Sequence, residues 1–339
     1  MKHPSFNAGA ETSGTLKRAL LALALSALAL QAPARADNYP TKSITIMPLL
    51  AAGTGLDVTV RLYAEQMSQA FGKPVVVENK PGSAGLAGIA ALKVAPADGY
   101  TMIVATSAVM AIRPTLLKST PYDAQKDFIP IALYVKSPFI LVVNPTLPIH
   151  SVPDLIKYVK ERPGQLSYSS SGVGGAPHLS AEYMKQRFDI DLAHVPYRNS
   201  PQSIADVAAG HVSMAFAEAG ASLPLIRDGK LRALAVTSST RLPTVPELPP
   251  FGETVGAPDF EAVSWHVLLA PAGTPQDVVD KLHAAMKRIM EAPDMRKKIA
   301  DIGLIPLDIA SVEASRGYIR AEGEKWGSLV RKLGLEASQ

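Results

Sequence analysis

The stretch Ile44–Phe71 constrains the fold more than any other part of the chain. An apolar run, Ile44–Leu50, breaks into the small-residue loop Ala51-Ala-Gly-Thr-Gly55, and Val60, Ala64, Met67 and Phe71 then recur at helical spacing. This reads as a buried strand, a loop and an amphipathic helix, with Asp57 as its N-cap and Gly72-Lys73-Pro74 as its stop. The loop carries almost no side-chain chemistry. It offers backbone N–H groups, close approach and the positive end of a helix, which together hold a carboxylate without Lys or Arg. An ordinary strand-to-helix turn that binds nothing has the same sequence.

The device recurs. Leu166–Ser169 reads as a strand, Ser169-Ser-Ser-Gly-Val-Gly-Gly-Ala-Pro-His178 as a small-residue loop, and Leu179–Arg187 as a helix. Two such loops facing each other make a two-sided anion clamp. Strands and helices alternate throughout, as in the short buried strand Val75–Val77, the strand Thr101–Ala105 and the strand Trp265–Ala270 before the helix Thr274–Met290. The class is therefore α/β with mainly parallel sheets. Thr106 and Ser107 follow a strand, at the end where such sheets hold ligands, or are two exposed loop hydroxyls. Tyr197 follows another strand and is placed to touch a ligand. Glu218 ends the strand Val212–Phe216 and either accepts from an ammonium or hydroxyl group of a ligand or is a surface carboxylate.

Several chemistries are not encoded. There is no cysteine, no G-x-S-x-G elbow, no Walker loop and no H-E-x-x-H. Gly82, Gly85 and Gly88 do not have dinucleotide-loop spacing, and the Pro81-Gly82 turn accounts for them. Ser170 or Ser171 with His178 or His194 would make a nucleophile and base, but no pattern supplies a third, orienting group. The seven histidines are scattered without metal-ligand spacing, so neither a metal nor another cofactor is expected.

Residues 1–36 read as an export signal: Lys17-Arg18, the apolar run Ala19–Leu30, then Ala34-Arg35-Ala36 before a cleavage point. The run is short for a membrane span. Setting these residues aside turns 34 basic and 30 acidic residues into 30 and 29, a net charge of +1. That balance argues against nucleic acid as a partner. The remaining stretch of about 303 residues suits two lobes, and a soluble protein of the bacterial periplasm is expected.

Tyr39-Pro-Thr-Lys-Ser-Ile44, Val75-Val-Val-Glu-Asn-Lys-Pro-Gly82, Asp98-Gly-Tyr-Thr101, His194-Val-Pro-Tyr-Arg198 and Gly229-Lys-Leu-Arg-Ala-Leu-Ala-Val236 occur in order along essentially the whole mature chain. In this the chain resembles the Bug-type receptors, the periplasmic substrate-binding proteins of tripartite tricarboxylate transporters. The resemblance implies a two-lobed periplasmic-binding-protein fold, type II-like, with the ligand between the lobes. Lobe 1 would be 37–138 plus 264–339 and lobe 2 would be 139–263. It implies a monomer that binds a small organic carboxylate, passes it to the transporter's membrane components, and has no catalytic residues. A sensor of the same fold and a periplasmic serine hydrolase are the alternatives.

In that family each lobe grips a ligand carboxylate with the amides and hydroxyls of one loop. Carried onto this chain, the first loop supplies Ala51, Ala52, Gly53, Thr54, Leu56 and Asp57. The second supplies Ser170, Ser171, Gly172, Gly174, Gly175 and Ala176, and Thr106, Ser107, Tyr197 and Glu218 complete the set. Two departures stand out. Pro48-Leu-Leu-Ala51 replaces the family's Pro-Phe, which removes an aromatic wall, and Gly172-Val-Gly-Gly175 lacks the usual final serine, leaving amides such as those of Gly175 and Ala176. Both imply a bulkier or more apolar carboxylate.

Overall fold

The computed structural model describes residues 38–81 and 85–339. The export signal, the cleavage point after Ala36 and Gly82 lie outside the described residues. By its contacts the chain falls into a short unit, Met1–Tyr39, and a large one, Pro40–Gln339, and the fold is that of the large one.

In chain order it runs β1 (Ile44–Pro48), α1 (Gly55–Phe71), β2 (Val75–Val77), α2 (Leu86–Lys93), β3 (Thr101–Thr106), a π-helical turn Ala108–Ile112 continuing into α3 (Arg113–Leu116), and β4 (Phe128–Ser137). After Pro138 come β5 (Phe139–Val143), α4 (Val152–Lys160), β6 (Ser167–Ser170), α5 (Ala176–Phe188), β7 (Ala193–Pro196), α6 (Ser200–Ala208), β8 (Met214–Glu218), α7 (Ala219–Arg227), β9 (Arg232–Val236) and α8 (Phe251–Thr254). The chain returns through β10 (Ser264–Pro271), α9 (Gln276–Glu291), α10 (Pro293–Asp301), β11 (Ile305–Pro306) and α11 (Val312–Lys332).

These strands form two sheets, ordered β11-β4-β10-β3-β1-β2 and β7-β6-β8-β5-β9. Both are mixed, which corrects the expectation of mainly parallel sheets. β1 is parallel to β2 and β3, and β6 to β7 and β8. β10 runs antiparallel to β3 and β4, and β5 antiparallel to β8 and β9. The reason is the crossing: β5 and β10 are the strands by which the chain changes sheet. Each starts at the crossing point and runs away from it, against the strands whose carboxyl ends point toward it. Both are buried along their full length, which explains their unbroken apolar sequence.

Two local expectations also change. β2 is an edge strand, so Val76 is half exposed rather than buried. The N-cap of α1 is Thr54, not Asp57; its side chain accepts from the Asp57 N–H, while Asp57 lies in the first turn. Thr54 has the extended backbone a cap needs, and Gly72 ends the helix in the left-handed region. Leu49, which follows Pro48, is buried in the fold. A Cβ on Gly88 would lie 2.2 Å from its Cδ2, so close packing accounts for that glycine. In the core, both Trp265 and Trp326 donate their indole N–H to Glu322, tying α11 to β10.

Candidate binding site

The two small-residue loops leave the carboxyl ends of β1 and β6, and each opens a helix. In the first, Asp57 is buried and its carboxylate is turned inward. It accepts from the Gly53 N–H at 2.9 Å, from Asn79 Nδ2 at 2.9 Å and from Arg61 Nε at 3.1 Å. Burial alone would raise its pKa; the bonds from Arg61, Gly53 and Asn79 outweigh that and hold it below the usual value. Asp57 therefore shapes the loop from behind. Asn79 also donates to the Leu50 carbonyl. Leu56 is buried, while Ala51, Ala52 and Gly53 are exposed and Thr54 is partly so. The Gly53 amide is taken by Asp57, whereas those of Ala51 and Ala52 have no partner among the described residues.

The second loop is held by two histidines. Ser170 Oγ lies 2.7 Å from His194 Nε2, and the Gly174 N–H donates to His178 Nδ1 at 3.2 Å. Gly172 and Gly174 have φ of 121° and 75°, conformations that only glycine adopts freely. The Gly175 N–H folds back onto the Gly172 carbonyl at 3.3 Å. The Ala176 N–H, in the first turn of α5 where helix N–H groups have no internal partner, makes no hydrogen bond among the described residues, and Ala176 itself is buried. The Ser171 side chain is half-buried and makes no hydrogen bond among the described residues.

Behind this loop the rings of Tyr168 and His194 stack at 4.7 Å, and those of His178 and His194 lie 4.3 Å apart. Tyr168 and Lys185 both donate to Glu182. Burial, and then the neighbouring His178, push the His194 pKa down to about 4, and burial lowers that of His178. The serine–histidine approach is thus part of a packed support. Ser170 is only 1 % exposed, and among the described residues no carboxylate is bonded to His194, so the arrangement lacks the access and the orienting group a nucleophile needs.

The remaining candidates spread along the same edge. Ser107 is buried and pairs with Ser264 Oγ at 3.0 Å; Thr106 is buried beside it. The Tyr197 hydroxyl donates to Asp206 at 2.6 Å, and its pKa is pushed up to about 12 by desolvation and by that carboxylate. Glu218 ends β8 with its side chain exposed.

Three features escaped the sequence reading. Asn79 and Arg61 clamp the first loop; Asn79 lies in a motif noted above, but its partner Asp57 is 22 residues away. Across the two halves, a Cβ on Gly174 would lie 1.9 Å from Leu116 Cδ2, and one on Gly303 would lie 2.5 Å from Ala219 Cβ. The second loop therefore packs on α3, and the start of α7 packs on the turn after α10. Two surface hollows of about 470 and 440 Å³ lie elsewhere, and no predicted site residue lines either. Among the described residues, no group of three His, Cys, Asp or Glu side chains is placed to hold a metal, and no helix is long and apolar enough to cross a membrane.

Residues 59–335 match the family profile of the tripartite tricarboxylate transporter family receptor. Among solved structures, the fold is similar to that of Rpa4515 of R. palustris with adipate, at 32 % identity and a TM-score of 0.78, over 87 % of this chain and 98 % of that one. It is similar to the periplasmic binding protein BugD, at 30 % identity and 0.75, over 88 % and 99 %. It is also similar to MatC of Rhodopseudomonas palustris with bound malate, at 26 % identity and 0.72, over 86 % and 100 %.

Proposed function

The chain belongs to the Bug-type receptor family of tripartite tricarboxylate transporters, and on that premise we propose that it captures a small organic carboxylate between two lobes and delivers it to such a transporter's membrane components. In this reading lobe 1 is 37–138 plus 264–339 and lobe 2 is 139–263, with the crossing at Pro138 and Ser264 as the hinge. The receptor is exported with cleavage after Ala36 and acts as a monomer.

The observation that carries the proposal is the pair of loops beyond two strands' carboxyl ends, each with amides that have no partner among the described residues: Ala51 and Ala52 on one side, Ala176 on the other. Charge-assisted N–H···carboxylate bonds are about twice as strong as neutral ones, and closure strengthens them by excluding water. The adipate and malate held by two similar proteins are ligands of this class. Asp57, Leu56, Gly53 and Gly174 keep the loops in shape; Thr54, Ser171 and Gly172 border the ligand; Thr106, Ser107 and Tyr197 form the floor and wall. Closure needs only a ligand that binds the closed form better than the open one.

The test is a thermal-shift and calorimetric screen of residues 37–339 against small carboxylates and their amides. A ligand at a hundred times its Kd should add about 2.7 kcal/mol, a shift of a few degrees for a protein of this size. Stabilisation by an acid and not by its amide is the expected result. Equal response to both would defeat the carboxylate reading.

A further inference from the structure

Glu218 is the last residue of β8 and stands as the N-cap of α7, yet its side chain makes no capping bond to that helix. It has neither a hydrogen bond nor an ion pair among the described residues. Other acidic residues of the two loops, the strand ends and the crossing differ. Asp57 is paired with Arg61, Glu182 with Lys185 and Tyr168, Glu261 with Lys136, and Asp206 with the Tyr197 hydroxyl.

Its position is defined by register. Ala215 of β8 pairs with Ser169 of β6, so Glu218 lies one strand over from the second loop, roughly 5 Å away laterally. Glu218 itself pairs with Phe139, the first residue after Pro138, where the chain crosses from one sheet to the other. The next residue, Ala219, packs on Gly303 from the other half. Glu218 therefore sits at the crossing, beside the second loop. Its side chain reaches solvent, but the surrounding protein desolvates it and raises its pKa.

An unpaired carboxylate in a closing cleft opposes closure, because expelling its water leaves a buried charge uncompensated. A ligand hydroxyl would return one hydrogen bond and leave the charge; a ligand cation would return both. We propose that the ligand presents a protonated amine to Glu218, so that the receptor takes amino carboxylates in preference to the matching unaminated acids. This inference rests on the carboxylate reading above: the loops take the acid and Glu218 takes the amine.

The test is calorimetric titration of residues 37–339 with matched pairs, L-aspartate against succinate, L-glutamate against glutarate, and L-phenylalanine against 3-phenylpropionate. Wild type is compared with Glu218→Gln and Glu218→Asp, together with mass spectrometry of any small molecule that co-purifies. The expected result is an aminated acid binding at least ten times more tightly than its partner, a preference lost in Glu218→Gln and partly kept in Glu218→Asp. Equal or tighter binding of the unaminated acids, an unchanged preference in Glu218→Gln, or a co-purified ligand without an amine would overturn the inference. Amino acid amides that bind as tightly as the free acids would leave Glu218 its role and sink the carboxylate reading instead.

Discussion

The backbone N–H of Gly174 donates to Nδ1 of His178, four residues further on, at 3.2 Å. The first turn of α5 thus holds the loop that precedes it, and it does so only with a neutral imidazole whose proton sits on Nε2. Protonating Nδ1 would remove the acceptor and place a charge 4.3 Å from the His194 ring.

That relationship predicts the pH dependence of stability. Burial holds His178 and His194 below the ordinary histidine value, His194 at about 4. His266, buried in β10, is driven down to about 3. An unfolded histidine takes up its proton near pH 6.5, so below that the unfolded state binds more protons than the folded one. The melting temperature should be highest near neutrality and fall from about pH 6.5 toward 4. A His194→Gln variant keeps an amide near the Nε2 position without titrating, so its profile should be shallower. Equal slopes would show that His194 titrates alike folded and unfolded.

Gly174→Ala tests the contact between the halves. The new Cβ meets Leu116 Cδ2 at 1.9 Å, and alanine is strained at φ of 75°. The combined loss should be about 1–3 kcal/mol in urea denaturation. Adding Leu116→Ala relieves the clash but not the strain, so the double mutant should lose less than the sum of the singles. Strict additivity would place Leu116 out of contact with the loop.

Asp57→Ala removes the carboxylate that arranges the first loop without facing the ligand. It frees the Gly53 amide, removes one of the Asn79 bonds and takes the ion pair from Arg61, which keeps its bond to Asn79 Oδ1 and is half exposed, so that it can rehydrate. The expected cost is about 2–3 kcal/mol, together with weaker carboxylate binding. Because the folded pKa of Asp57 is depressed, its contribution is full above about pH 4 and is lost as pH falls through the folded value. Wild-type binding in a destabilised variant would show that the loop keeps its shape without Asp57.

Short-range pattern determined much of this protein. The strand–loop–helix unit at Ile44–Phe71, its Gly72 stop and the second loop at Ser169–Ala176 were all legible in the sequence. Helical spacing, caps and turn glycines are encoded within a few neighbouring residues. Tertiary structure decided which groups remain free. The Gly53 amide turns inward because Asp57 takes it, and the Gly175 amide because the Gly172 carbonyl does. Ser107 faces Ser264, 157 residues away, and the Glu218 side chain is left without a partner among the described residues. A polar group's availability depends on every segment packed around it. The crossing at Pro138 and Ser264, which reverses β5 and β10 and sets Glu218 beside the second loop, joins segments too far apart in sequence for any local signal to record.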